Sequence, residues 1–253
     1  MSAFIFGTAY IDSPQRAELV QMWIELNLHR NPEFPLVLID SASDPMWRAM
    51  VPQSSDVQIH TVADGDPLPR LTPGLNWIDF PENLGHLSMH GVDGWGRAFC
   101  RGVELGLQHN YDYVINIETD LLFRPHIAQI LQDVQIKDIE FLSGWERGHR
   151  FIENCICFMK TDYLRRTDFI GRYDWHAQKP GYPWPEQRME MLTSDVLLVK
   201  PWQGLRDDFS QCASEHIPYL DYITHAHEPE LYYQFLLPLM PPGWLPPSQR
   251  VGT

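Results

Sequence analysis

The sequence predicts an α/β fold, with a mostly parallel central sheet flanked by helices on both faces, and three observations predict it. The apolar runs AFIFGT, PLVLID and YVINI have the length and branching of buried strands. Segments with helical apolar spacing stand between them, an alternation typical of helices covering a parallel sheet. Two of these strands also run directly into acids, Asp40 and the triplet Glu118-Thr119-Asp120. Those acids would lie at the carboxyl edge of the sheet, where open α/β folds bind their ligands.

Taken in order, Ala3 to Thr8 reads as the first strand. Asp12 or Ser13 can cap the next helix, with Pro14 in its first turn, where proline is tolerated. Leu19, Val20, Trp23, Ile24, Leu26 and Leu28 carry its apolar face as far as Asn31-Pro32. Pro35 to Asp40 is a second buried strand, and Asp40-Ser-Ala-Ser-Asp44-Pro45 has turn and cap chemistry leading into a short helix. Val57 to Val62 alternates as a third strand, Asp64 to Pro73 is a loop, and Trp77 to Phe80 is a short strand. Trp95 to His109 is a helix feeding the central strand at Tyr113. Beyond it the pattern predicts a helix over Pro125 to Val134, strands over Ile139 to Ser143 and Ile152 to Met159, and one capped helix over Thr161 to Ile170. An irregular aromatic, proline-rich run over Tyr173 to Pro185 has the composition of a binding loop. A short helix over Pro185 to Leu192 and strands over Val196 to Val199 and Tyr219 to Ile223 complete the pattern.

At 253 residues the chain can bury one large core, and it contains neither an internal repeat nor a linker that would divide it. A formal charge of −14, from 33 acids against 19 Lys and Arg, argues against general nucleic-acid binding, while leaving room for one nucleotide in a pocket. The amino-terminal MSAFIFGTAYID has no basic region ahead of its apolar run, so a secretion signal is not expected. No stretch approaches the roughly 20 apolar residues of a membrane span. The tail LLPLMPPGWLPP is broken by prolines and is expected to wrap the body. Cys100, Cys155, Cys157 and Cys212 do not have a zinc spacing, and are expected to be reduced, mostly core thiols in a cytoplasmic protein. Cys155 and Cys157, two apart in a strand, should share a face.

Within the triplet, Glu118 and Asp120 would project from one face of an extended backbone. Two carboxylates held that close repel unless a cation lies between them, and hard divalent ions take carboxylate oxygens.

Three segments together resemble the glycosyltransferases of the GT-A fold. VLIDSASD is similar to that family's second strand and Asp-x-x-Ser-x-Asp turn. ENLGHLSMHGVDGWGRAFCRGVELGL resembles its Asn-x-Gly segment followed by an arginine-bearing helix, and YDYVINIETD its strand ending in a DxD metal motif. Their order matches, and the resemblance spans roughly residues 3 to 160. It implies a single GT-A-like domain over 1–253, with a Rossmann-like nucleotide-sugar-binding half at 1–123. An irregular acceptor-binding half and the tail would occupy 124–253.

The implied activity is transfer of a sugar from a nucleoside-diphosphate sugar, a UDP-sugar by default, to a carbohydrate or other hydroxyl acceptor, with Mn²⁺ or Mg²⁺ at the triplet. Asp40 would face the base, while Thr8, Ala9, Asn83, Gly85 and Arg97 would line the donor pocket. The long segment after Gly85 leaves Arg101 as an alternative to Arg97. Glutamate stands where the family usually has aspartate, which implies Asp120 as the direct metal ligand. Glu118 would then serve either as a second ligand or on a ribose hydroxyl or metal-bound water. The family often adds a histidine from near the chain's end; His225-x-His227 follows a strand and offers two imidazoles, with His227 preferred. Neutral imidazole suits Mn²⁺ better than Mg²⁺. An acceptor hydroxyl must lose its proton to a base if the enzyme inverts. Glu186, at the start of a helix, and Glu146, after a strand, are the candidates. Trp145 could stack on a sugar ring, and Trp175, Tyr182 and Trp184 could form an acceptor platform.

Three other readings stay open. A nucleotidyltransferase would carry a glycine- and arginine-rich loop after its first strand, which GTAYIDSPQR lacks. A non-catalytic nucleotide-sugar-binding module would keep the fold without turnover. A metal-dependent hydrolase would need no acceptor.

Overall fold

A computed structural model describes residues 2–51, 57–63, 65–83, 92–145, 152–175, 185–206, 214–226 and 229–250. β1 (Ala3–Ala9) leads into α1 (Pro14–Arg30), β2 (Leu36–Asp40), α2 (Pro45–Arg48), β3 (Gln58–Thr61) and β4 (Leu75–Asp79). α3 (Val92–Gln108), β5 (Tyr113–Ile117), β6 (Leu121–Phe123) and α4 (Ile127–Ile136) follow. Next come β7 (Phe141–Trp145), β8 (Ile152–Lys160), α5 (Thr161–Arg166), α6 (Phe169–Tyr173) and α7 (Pro185–Thr193). The chain ends through β9 (Leu197–Lys200), β10 (Gly204–Arg206), β11 (Tyr222–Thr224) and α8 (Pro229–Leu236).

Among the described residues, eight strands form one sheet in the order β3-β4-β2-β1-β5-β8-β7-β9. The first five in that order pair in parallel, and β8 runs antiparallel to both β5 and β7. This is the mixed α/β sheet with flanking helices that the alternation predicts. Strand order reverses about β1, with β2 on one side and β5 on the other. A reversal of this kind opens a crevice beyond the carboxyl ends of the strands.

Alternation along β1 divides the core. Ala3, Ile5 and Ala9 pack with α1 residues such as Trp23 on one face, while Phe4 and Phe6 pack with Phe99 and Val103 of α3 on the other. Ser13 is the cap of α1, accepting from the Arg16 amide, and Pro14 takes the first turn. Gly7 lies where a Cβ would sit 2.6 Å from the Ile117 carbonyl and 2.7 Å from the Trp23 ring. Only a glycine lets β1 come this close to the end of β5.

β6 and β10 have no counterpart in the sequence pattern, and four further elements depart from it. Thr161 to Ile170 is not one helix, because Asp168 takes a left-handed backbone (φ 47°) that separates α5 from α6. Tyr219 belongs to a 3-10 turn over Ser214–Tyr219, leaving only Tyr222–Thr224 as strand. α8 was not foreseen, although Pro229 opens it and Tyr232, Phe235 and Leu236 line its buried face.

The fourth departure is in β8. Its pairing with β7 jumps from Ser143↔Cys157 to Gly144↔Glu153. A bulge of this kind resets side-chain alternation. Cys155 therefore packs with Ile156 in the first core cluster and Cys157 in the second, so the two thiols do not share a face.

The proline-broken tail does wrap the body. Trp244 donates its indole N–H to Glu25 at 2.7 Å, and Arg250 grips both Glu25 oxygens at 2.6 and 2.7 Å. Burial pushes the Glu25 carboxyl up, but the bonds from Arg250, Trp244 and Gln21 outweigh it and hold it below the usual range. No helix of the described residues is long and apolar enough to cross a membrane.

Candidate active site

A cleft of about 730 Å³ opens at the carboxyl ends of β1 and β5. Thr8, Ala9, Asn83, Glu118, Asp120, Glu186 and His225 all line it, so the fold gathers seven of the residues singled out from sequence. The β1 edge is tied to the acidic turn directly: Thr119 donates its hydroxyl to the Thr8 carbonyl at 2.6 Å. β5 ends at Ile117, and the Leu121 amide returns to the Glu118 carbonyl at 3.0 Å. The two carboxylates thus leave a tight turn rather than an extended strand, and both still enter the cleft.

Register then supplies the partner of Asp120. β11 pairs antiparallel with β6, setting Thr224 opposite Leu121. One step beyond, His225 meets Asp120, with Nε2 3.1 Å from Oδ2. His225 holds a left-handed backbone (φ 55°), a conformation uncommon outside glycine, asparagine, aspartate and histidine. Burial pushes the Asp120 carboxyl up, but the His225 bond and the charges of His225, Arg16 and Arg206 hold it below its ordinary range. Asp120 Oδ1 is closed off from solvent and has no hydrogen-bond partner among the described residues.

Glu118 is oriented from two sides. The Trp95 indole donates to Oε1, and the Cys155 thiol donates to Oε2 at 3.3 Å. One donor atom from each of Glu118, Asp120 and Cys155 falls within 4.8 Å of the others. A turn that aims two carboxylates at one point, with an oxygen left over, fits a divalent cation; the His225 imidazole is not one of that close group.

Two of the expected donor-pocket residues lie off the cleft. Asp40 is 0% exposed and is not among the residues that line it. Oδ1 accepts from the Ser43 amide (2.9 Å) and hydroxyl (2.5 Å), and Oδ2 from the Trp77 indole (3.1 Å). Ser43 Oγ in turn accepts from the Ile11 amide at 2.7 Å, so Asp40 shapes the β1–α1 loop whose Tyr10 and Ser13 line the cleft. Arg97 is also buried away from the cleft, over the Phe80 ring at 4.7 Å, with Nη1 3.4 Å from the Glu82 carbonyl. Arg101, the alternative, bonds Glu104 at 2.6 Å and is likewise no part of the wall.

Among the described residues, the arginines that do line the cleft are Arg16 and Arg206, neither of which the sequence pattern singles out. Arg16 stands in the first turn of α1, and Arg206 comes from β10, paired with Thr224. Trp175 packs against the second core cluster rather than lining the cleft. Gly85, Glu146, His227, Tyr182 and Trp184 lie outside the described residues, and so does the side chain of Trp145.

No protein-family model and no curated protein matches the chain. Solved structures do. Over 96% of its length the chain is similar to the bifunctional glycosyltransferase WbbM, with a TM-score of 0.59 and 10% identity, and it spans 50% of that chain. Over 95% of its length it is similar to GlyE of Streptococcus pneumoniae TIGR4 (TM-score 0.55, 10% identity, 60% of that chain). A glycosyltransferase involved in the glycosylation of the major capsid of PBCV-1 is matched along 100% of its own length and 95% of this one, with a TM-score of 0.54 and 8% identity. At such identities the likeness is one of fold. This chain has the GT-A fold of these glycosyltransferases.

Proposed function

We propose that this chain is a metal-dependent glycosyltransferase, moving a sugar from a nucleoside-diphosphate sugar to a carbohydrate or other hydroxyl acceptor. One observation carries the reading. At the sheet's topological switch point, Glu118 and Asp120 converge in a cleft, and Asp120 keeps a buried oxygen with no partner among the described residues. Asp120 and Glu118 would hold the ion, which as a Lewis acid would draw charge from the departing diphosphate.

The remaining work falls to side chains already in position. His225 holds the Asp120 carboxyl below its ordinary range and aims it, and Trp95 aims Glu118. Arg16 and Arg206 offer positive charge to the phosphates. Thr8, Ala9, Ser41 and Asn83 form the wall along which the nucleoside would lie, with residues 1–123 as the donor half and 124–253 as the acceptor half. Glu186, in the first turn of α7, would take the proton of the acceptor hydroxyl as it attacks. The described cysteines are buried as thiols, which supports a reducing, cytoplasmic setting.

A thermal-shift screen of nucleoside diphosphates with and without Mn²⁺ tests this. Near a hundredfold excess over Kd, one diphosphate should raise Tm by roughly 5 to 10 °C, only with metal present. Asp120→Asn should abolish the shift. Stabilisation by no nucleotide under any metal condition would end the reading.

A further inference from the structure

The bulge in β8 places a thiol where regular alternation would not. Cys155 is 2% exposed, yet it lines the cleft, and its Sγ lies 3.3 Å from Glu118 Oε2. Two donors on one zinc-sized ion stand about 3 to 3.6 Å apart, given bonds of about 2.1 Å to oxygen and 2.3 Å to sulfur. The thiol and the carboxylate already have that separation. The Trp95 indole occupies Oε1, which leaves Oε2 turned toward sulfur. Asp120 completes the group, with all three donor atoms inside 4.8 Å.

We propose that Cys155 is itself a ligand of the ion held by Glu118 and Asp120, so that the site favours thiolate-accepting ions such as Zn²⁺ and Co²⁺ over Mg²⁺. Carboxylate and water suit Mg²⁺, whereas a soft thiolate selects softer ions, and adding sulfur to a pair of carboxylates moves the preference that way. As the sulfur–metal bond forms, the S–H bond breaks and its proton leaves to solvent, so binding should release a proton. This inference rests on the metal reading above and adds a specific ligand to it.

Co²⁺ titrated into the reduced full chain provides the test, followed by near-ultraviolet absorbance from thiolate-to-cobalt charge transfer. The band should appear with the wild-type chain, be lost in Cys155→Ser and Asp120→Asn, and persist in Cys100→Ser, Cys157→Ser and Cys212→Ser. Should Cys155→Ser fold poorly, alkylation of the unaltered chain gives the same answer: Co²⁺ should protect Cys155 from iodoacetamide, as read by peptide mass. If Co²⁺ supports the diphosphate-dependent thermal shift but gives no thiolate band and no protection, the inference is overturned while the metal reading stands. If neither Mn²⁺ nor Co²⁺ supports that shift and no band appears, both fall together.

Discussion

Asp40 ends one buried parallel strand and Asp120 follows another, both at the carboxyl edge of one sheet, and each reads from sequence as a ligand-facing acid. Their surroundings differ in the number of internal donors that reach them. Asp40 is met by two groups of Ser43 and the indole of Trp77, and the Arg48 guanidinium lies 3.8 Å away, held by Asp79 at 2.8 Å. Asp120 is met by His225 on one oxygen, while the other has no partner among the described residues. A saturated acid can shape the loop beside a site; an unsaturated one can act in it. Strand-end position does not separate the two, and donor count does.

Exchanging each acid for asparagine puts the contrast at its sharpest. Asp120→Asn should lower sugar transfer by about a hundredfold or more, the scale of losing a charge that stabilises the transition state, with little change in Tm. Asp40→Asn should act the other way round, because its amide would face the Trp77 and Arg48 donors. Stability should fall by about 2 to 3 kcal/mol, or roughly 5 to 10 °C in Tm, while the folded fraction still binds the diphosphate. Loss of binding in folded Asp40→Asn would return that residue to the ligand side of the comparison.

A smaller effect probes the spacing between the two places. Gly7→Ala drives a methyl into the Ile117 carbonyl and the Trp23 ring, and should cost about 1 to 3 kcal/mol by denaturant unfolding. It should also weaken diphosphate binding, since the same methyl would lie 3.0 Å from Thr119, inside the acidic turn. Unchanged stability and affinity would mean that the approach of β1 to β5 does not set the site.

The smallest effect compares two acids by pH. Burial raises the Asp40 carboxyl above its ordinary 3.8, with the Ser43, Arg48 and Trp77 contacts opposing it. Its proton-linked contribution is therefore full below about pH 3.8 and declines as pH rises through the raised value. Glu25 has the opposite sign. Held below its ordinary 4.5, it contributes above that value, and its contribution is lost as pH falls through the lowered one. Unfolding measured from pH 3 to 7 should show Glu25→Gln costing about 1 kcal/mol near neutrality and less in acid. Its difference from wild type should grow with pH, whereas the linked part of the Asp40→Asn difference should shrink.

The parallel half of the sheet was legible because strands of four to seven residues and amphipathic helices carry their periodicity in the chain itself. The acidic turn was legible for the same reason, as an apolar run ending in two acids. The small sheet was not. β6, β10 and β11 have only three residues each, too few to show a period, and they exist because they pair with one another. That pairing brings Arg206 and His225 to Asp120 from segments about a hundred residues away. The β8 bulge was equally hidden, since the apolar run from Cys155 to Met159 gives no sign of where alternation resets.

The sequence by itself determined the parallel strands, the long helices that cover them and the acids at the strand ends, because periodicity and turn chemistry are local. Tertiary structure alone decided which of those acids keeps an oxygen without a partner among the described residues. The number of donors reaching a carboxylate depends on register and packing between distant segments, and so Asp40 was closed, Asp120 was left with one oxygen, and Cys155 was turned toward Glu118.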